Sequence, residues 1–269
     1  MRALAIAATG MNAQQLNVEV IANNIANINT TSFKRARAEF TDLLYQTERL
    51  HGVPTRAGEA AVPEGANLGL GVRTTAIRNL HSQGALAQTS NKLDLALDGR
   101  GWFQVQGPEN ETLYTRAGSF SLDARGQLTT PAGGLVQKVG GGSIAIAPGT
   151  YESYTIAPDG KVMGNPGDGG APVEIAQIQL ATFANPAGLA KVGGSLLRAT
   201  ANSGPVNPGT GAPGANGRGL LAVGVLEMSN VDLAQEFTNL IVAQRGFQAN
   251  SRIITASDEV LQELVNLKR

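Results

Sequence analysis

Apolar residues at both ends of this chain recur every seven positions. At the N-terminus the series is Leu4, Met11, Val18 and Ile25, with Ala8, Gln15 and Ala22 at the alternate three- and four-residue steps. A repeat held this long predicts a helix carrying a coiled-coil seam, diluted at Gln15. At about 100° per residue, Ile6, Leu16 and Val20 fall on the opposite side of the same helix. Its end is expected in the stretch Asn23, Asn24, Asn27, Asn29, because Asn accepts the left-handed conformation that closes helices. At the C-terminus Leu240, Phe247, Ile254 and Leu261 are again seven apart, led in by Leu233 and Phe237. A second series, Val231, Val242, Ile253 and Leu264, recurs every eleven. Ser229 with Asp232 reads as a capping box, and Lys268 and Arg269 suit the negative end of the helix dipole. From about Asn230 to Leu267 such a helix would reach roughly 55 Å.

A helix on the surface of a monomer needs one apolar stripe, and one that is apolar on two sides needs neighbours on two sides. Pairing the two terminal helices satisfies one stripe on each. Further copies of the chain are the natural partners for the others. The competing reading packs both helices flat on the middle of the chain and leaves the heptad spacing without a purpose.

Between the helices the pattern is β. Leu93, Leu95 and Leu97 alternate with Asp94 and Ala96, which predicts a half-buried strand running into the turn Asp98-Gly99. Trp102, Phe103 and Val105 read as the next strand. Tyr114, Phe120 and Leu122 precede a turn at Asp123–Gly126, and Leu128 follows it. Pro158-Asp159-Gly160 is a turn between Tyr154–Ile156 and Lys161–Met163, and Ile175, Ile178, Leu180 and Phe183 mark later strands. The fold class expected is α+β: long N- and C-terminal helices pairing as a coiled coil, and a central antiparallel β domain of sandwich or barrel type. Residues 1–34 and 225–269 would form the helical core, 35–90 an extended linking segment, and 91–224 the outer β domain. Glycine and proline agree. Each helical end holds a single glycine (Gly10, Gly246) and no proline, and nearly all the rest lie between.

Composition narrows the function. Lys+Arg and Asp+Glu are both 21, so no surplus of positive charge is available for phosphates or an anionic membrane. No nucleic acid or membrane insertion is expected, and no window approaches the roughly 20 apolar residues of a spanning helix. The absence of cysteine excludes disulfides and thiolate chemistry. The two histidines, His51 and His81, stand outside any ligand spacing. Gly69-Leu70-Gly71 and Gly140–Gly142 complete no phosphate-binding pattern, and neither Gly118-Ser119 nor Gly194-Ser195 completes a nucleophile elbow. Asp94 and Asp98 lack a calcium-loop run, and Asp123, Asp159 and Asp168 sit beside turn glycines as Asx turns. No catalytic, cofactor or metal site is expected.

The segment Ala22-Asn23-Asn24-Ile25-Ala26-Asn27-Ile28-Asn29-Thr30-Thr31-Ser32-Phe33-Lys34-Arg35 resembles the N-terminal signature of flagellar rod and hook proteins. Asn23, Asn24, Asn27, Asn29, Thr30, Phe33 and Lys34 carry it, while Ser32 stands where the family usually has Gly. Ser229–Asp232 leading to Ala243-Gln244-Arg245-Gly246-Phe247-Gln248-Ala249-Asn250-Ser251 resembles the matching C-terminal signature. Further stretches, among them Arg37–Thr47, Leu68–Val72, Tyr114–Phe120 and Gln179–Leu189, are similar to the distal rod type.

The resemblance implies a structural subunit of a rigid tubular driveshaft that carries motor torque to the hook. Terminal helices would line the inside of a helical homopolymer, and β domains would stack outside. Self-assembly would then involve Leu4, Met11, Val18, Ile25, Phe237, Leu240, Phe247, Ile254 and Leu261. Implied partners are other copies, the proximal rod proteins, the hook protein, the ring bushing and the type III flagellar export apparatus. The implied location is the basal-body rod across the periplasm, reached without a cleaved signal peptide. Residues 47–67 correspond to an insertion that distinguishes rod from hook and bridges subunits. Rival readings are another rod or hook protein, an enzyme with helical dimerisation arms, and a carbohydrate-binding module using Trp102.

Overall fold

The computed structural model describes residues 2–49, 66–147, 150–166, 170–206 and 210–267. The chain divides into two compact units, one of Met1–Ala26, Ala36–Asn79 and Asp232–Arg269, the other of Asn27–Arg35 and Leu80–Val231.

The first unit contains both long helices. Helix α1 spans Arg2–Ala26 and stops within the asparagine-rich stretch, after Asn23 and Asn24 and just before Asn27. Helix α2 spans Leu233–Asn266. Its cap is Asp232, whose Oδ1 accepts from the Ala234 and Gln235 N–H groups at 2.9 and 3.2 Å. The expected box with Ser229 does not form. The Asp232 carboxylate stands directly before the helix and takes the free N–H groups itself, and Ser229 Oγ accepts from Val231 N–H instead.

The helices lie antiparallel. Gly10 meets Asn250, Gln14 meets Gly246, and Asn24 meets Glu236. A Cβ added at Gly10 would come within 2.8 Å of Asn250 Nδ2, and one at Gly246 within 3.1 Å of Gln14 Cδ. The single glycine of each helix thus marks where a side chain of the other helix packs against its backbone.

Strands β1 (Ala36–Asp42), β2 (Tyr45–Arg49), β3 (Ala66–Gly69) and β4 (Val72–Asn79) complete this unit, with β1 antiparallel to β4 and β2 to β3. Leu43 N–H bonds Gly71 O at 2.8 Å and Leu70 N–H bonds Leu44 O at 3.1 Å, so the two ladders form one kinked ribbon. The ribbon covers a side of α1. Asn24 exchanges two hydrogen bonds with the Ala36 backbone at 2.8 and 2.9 Å, and Thr9 Oγ1 accepts from Val72 N–H. The neighbour for the second side of α1 is therefore this chain's own ribbon, a long-range pairing that helical periodicity does not report. Of the expected insertion at 47–67, only Thr47–Arg49 and Ala66–Asn67 are described. Residues 50–65, with His51, lie outside the described residues, as do Asp168, Lys268 and Arg269.

The second unit is antiparallel β. Its strands are β5 (Leu86–Gln88), β6 (Leu95–Asp98), β7 (Trp102–Gln106), β8 (Thr112–Thr115), β9 (Ser121–Leu122), β10 (Leu128–Thr129), β11 (Leu135–Val136), β12 (Ser153–Ile156), β13 (Lys161–Asn165), β14 (Val173–Gln177), β15 (Leu180–Ala181), β16 (Ala190–Gly193), β17 (Leu196–Arg198), β18 (Leu220–Val223) and β19 (Val225–Glu227). The main sheet runs β16-β17-β8-β7-β11-β10-β9, with β15 also on β7; β12-β13-β14 form a second sheet. Strands β6 and β18 pair, as do β5 and β19. The core gathers Leu95, Leu97, Phe103, Val105, Leu128, Val136, Ile144, Val162, Ile178 and Leu180. Leu95, Ala96 and Leu97 are all fully enclosed, so β6 is buried on both faces. The alternation of large and small residues there reflects packing on two sides, not one side facing water. The Asp123 and Asp159 turns form as read, each carboxylate accepting a backbone N–H two residues on.

Candidate assembly surface and the junction of three chain passages

Helix α2 presents small and polar groups to α1. Glu236 and Ala243 are buried, and Gly246 and Asn250 make the close approaches described above. Its large apolar residues are elsewhere. At about 100° per residue, Val242, Ile253 and Val260 fall on one flank of the α1-facing strip, Phe237 towards the other, and Ile241 on the face turned away from α1. All five are exposed, Val242 to 66% and Ile241 to 59%. Phe247 and Leu261 are exposed as well, while Leu240 and Ile254 are half-buried. On α1 the buried line is Ala7, Ala13, Val20, Ile21 and Asn24. Leu4, Met11, Val18 and Ile25 lie about 100° or more round the helix from Asn24 and are half-buried.

The rest of the N-terminal signature belongs to the second unit, where three passages of chain meet on Glu227. This side chain is wholly enclosed. Its Oε1 accepts from Lys34 Nζ and from Gly84 N–H at 2.9 Å, and its Oε2 from Arg116 Nε at 2.9 Å. Lys34 also donates to Ser82 O at 2.7 Å, and Arg116 to Gly99 O at 2.9 Å. Burial opposes charge on Glu227, but Arg116, Lys34 and the Gly84 N–H outweigh it and hold the carboxyl below its ordinary range. Burial draws Lys34 below its usual value despite Glu227. Asn230 ties two of these passages to its own. It accepts from Arg35 N–H at 2.7 Å and donates to Leu80 O at 2.9 Å and Ser82 Oγ at 2.9 Å. Sequence reasoning singled out Lys34 but missed Glu227 and Arg116, which lie far apart in the chain with no spacing to link them.

Ser32 has φ 56°, the left-handed region that favours glycine. Its hydroxyl donates to Arg116 O at 2.7 Å and its N–H to Glu227 O at 2.8 Å, which offsets the strain. A cavity of about 320 Å³ adjoins this junction, lined by Phe33, Lys34, His81, Trp102 and Lys191 among others. Trp102 is buried edge-on against Phe183 at 5.6 Å and His81 at 5.9 Å. Burial first, then Lys34, Lys191 and Arg116, push His81 down to about 4.

Three family models match. Residues 4–34 match a model described as flagella basal body rod protein, 96–164 the flagellar hook protein FlgE/F/G D1 domain, and 222–267 the flagellar basal body rod FlgEFG protein C-terminal. The flagellar basal-body rod protein FlgG of Agrobacterium fabrum is 52% identical over 260 residues, 97% of each chain. That of Bacillus subtilis is 45% identical over the whole of both chains. A flagellar hook protein FlgE from Borreliella burgdorferi reaches only 26%. The relatives of high identity are rod proteins over their full length, and the chain belongs to the FlgG family of flagellar basal-body rod proteins, structural subunits of the distal rod.

Proposed function

We propose that the two exposed flanks of α2 are the surfaces through which copies of this subunit polymerise into a rigid tube that transmits motor torque to the hook. The observation that carries this reading is the exposure of Val242, Ile253 and Val260 on one flank of α2, of Phe237 towards the other, and of Ile241 between them on the face turned away from α1. An apolar strip on each side of the α1-facing strip fits a helix with a neighbour on either side. Leu4, Met11, Val18 and Ile25 of α1 join the contact, with Leu240, Phe247, Ile254 and Leu261, as coiled-coil packing among copies. The helical parts of 1–34 and 225–269 form the polymerisation core, 35–90 link it outward, and 91–224 form the outer domain. Proximal rod proteins, the hook protein and the ring bushing are the neighbours along the axis. The export apparatus delivers the subunit to the periplasm without signal cleavage, and no catalysis is involved.

Replacing Val242 or Phe247 by Glu tests the reading. The monomer should keep its circular dichroism and lose polymerisation, whereas normal filaments from either variant would refute the assignment. Residues 47–67 bridge neighbouring copies and stiffen the tube. Their deletion should give a bent or flexible rod by electron microscopy; a straight rod removes that role.

A further inference from the structure

Each contact of Glu227 comes from a different stretch of chain. Lys34 is 193 residues away, Gly84 143 and Arg116 111. The same C-terminal passage supplies β18 and β19, which pair β6 and β5 in sheets of two strands, and it places Leu221 in the main core. Take that passage away and two things happen together. The fully enclosed Leu95–Leu97 lose the ladder along β18. Lys34 and Arg116, each only 6% exposed at the side chain, lose the carboxylate that pairs both. A buried cation without its partner is strongly unfavourable, so a partly folded unit with the main sheet formed and the C-terminal passage absent has no stable arrangement of its own. Closing these long loops is also late, because their entropy is lost before their contacts form.

We propose that the Lys34–Glu227–Arg116 cluster makes closure of the β unit conditional on residues 220–231. The unit is folded as a whole or not at all, and a chain delivered N-terminus first stays open until that passage arrives. The device is independent of the polymerisation reading, since every group in it lies within one unit of one chain.

Hydrogen exchange followed by mass spectrometry on the intact wild-type chain, across a urea series, tests it. Peptides covering 31–35, 93–98, 102–106 and 220–228 should lose protection at one common urea concentration. Earlier loss from 220–228 with 102–106 still protected would overturn the proposal. Glu227→Gln in the full chain supplies a second readout. Opening should rise about a hundredfold at all four peptides together; an increase confined to 80–84 and 220–231 would mark the cluster as a local contact only.

Discussion

Asn24 donates a hydrogen bond to Glu236 Oε2 at 3.3 Å across the antiparallel helix pair, and both side chains are buried. The same amide holds the Ala36 backbone through two further bonds. One signature residue therefore joins α1, the first turn of α2 and the start of the ribbon. Its position also fixes the register that seats Gly10 on Asn250 and Gly246 on Gln14.

Truncating this side chain strands the groups it satisfies. Asn24→Ala should destabilise the helix pair by about 2–3 kcal/mol, read as a lower urea midpoint of the far-ultraviolet helix signal. A change below about 0.5 kcal/mol would mean that the amide is incidental to the pairing.

Ser32 lets backbone conformation and a side-chain bond be separated. Ser32→Gly relieves the positive φ but removes the bond to Arg116 O, so its net effect should stay within about 1 kcal/mol. Ser32→Val keeps the strain, loses the bond and adds a branched Cβ. It should cost roughly 2 kcal/mol or more. Thermal melts of both variants against wild type decide the point; a harmless valine would contradict it.

His81 makes the β unit acid-sensitive in a defined window. Its folded value of about 4 lies below the ordinary 6.5, so between these values the unfolded chain binds more protons. Stability must then rise with pH across that window and fall as the solution is acidified from 6.5 towards 4. Glu227, held low by its cations, adds its own loss only below the usual carboxylate range. The urea midpoint of the β unit should drop from pH 7 to pH 5 in wild type and much less in His81→Gln. Parallel pH profiles for the two proteins would place the sensitivity elsewhere.

Local and periodic features were legible from sequence. Both helices, the Asp123 and Asp159 turns and the strand at Trp102–Val105 follow from spacing and turn chemistry that neighbouring residues express alone. Non-local features were not. Nothing near Asn24 signals that Ala36 and Glu236 complete its bonds. Nothing near Lys34 points to a carboxylate 193 residues away. The seam read from Leu4, Met11, Val18 and Ile25 also differs from the buried line of α1, because Asn24, Ala7 and Ala13 face the close contacts. Hydrophobic periodicity finds where large side chains recur, whereas close helix approach selects small ones. The Ser32 departure became intelligible only through its φ, which composition does not carry.

The central claim is that both flanks of α2 are covered when copies assemble. The chain has no cysteine, so single Val242→Cys and Phe237→Cys variants each report one flank without background. Maleimide labelling rates, measured on dispersed monomer and on polymer, compare directly with those of a Val173→Cys control on the β unit. Both helix positions should label readily in the monomer and become at least tenfold slower in the polymer, a loss of access worth about 1.4 kcal/mol or more, while the control keeps its rate. Unchanged labelling at either position in intact polymer would contradict the account.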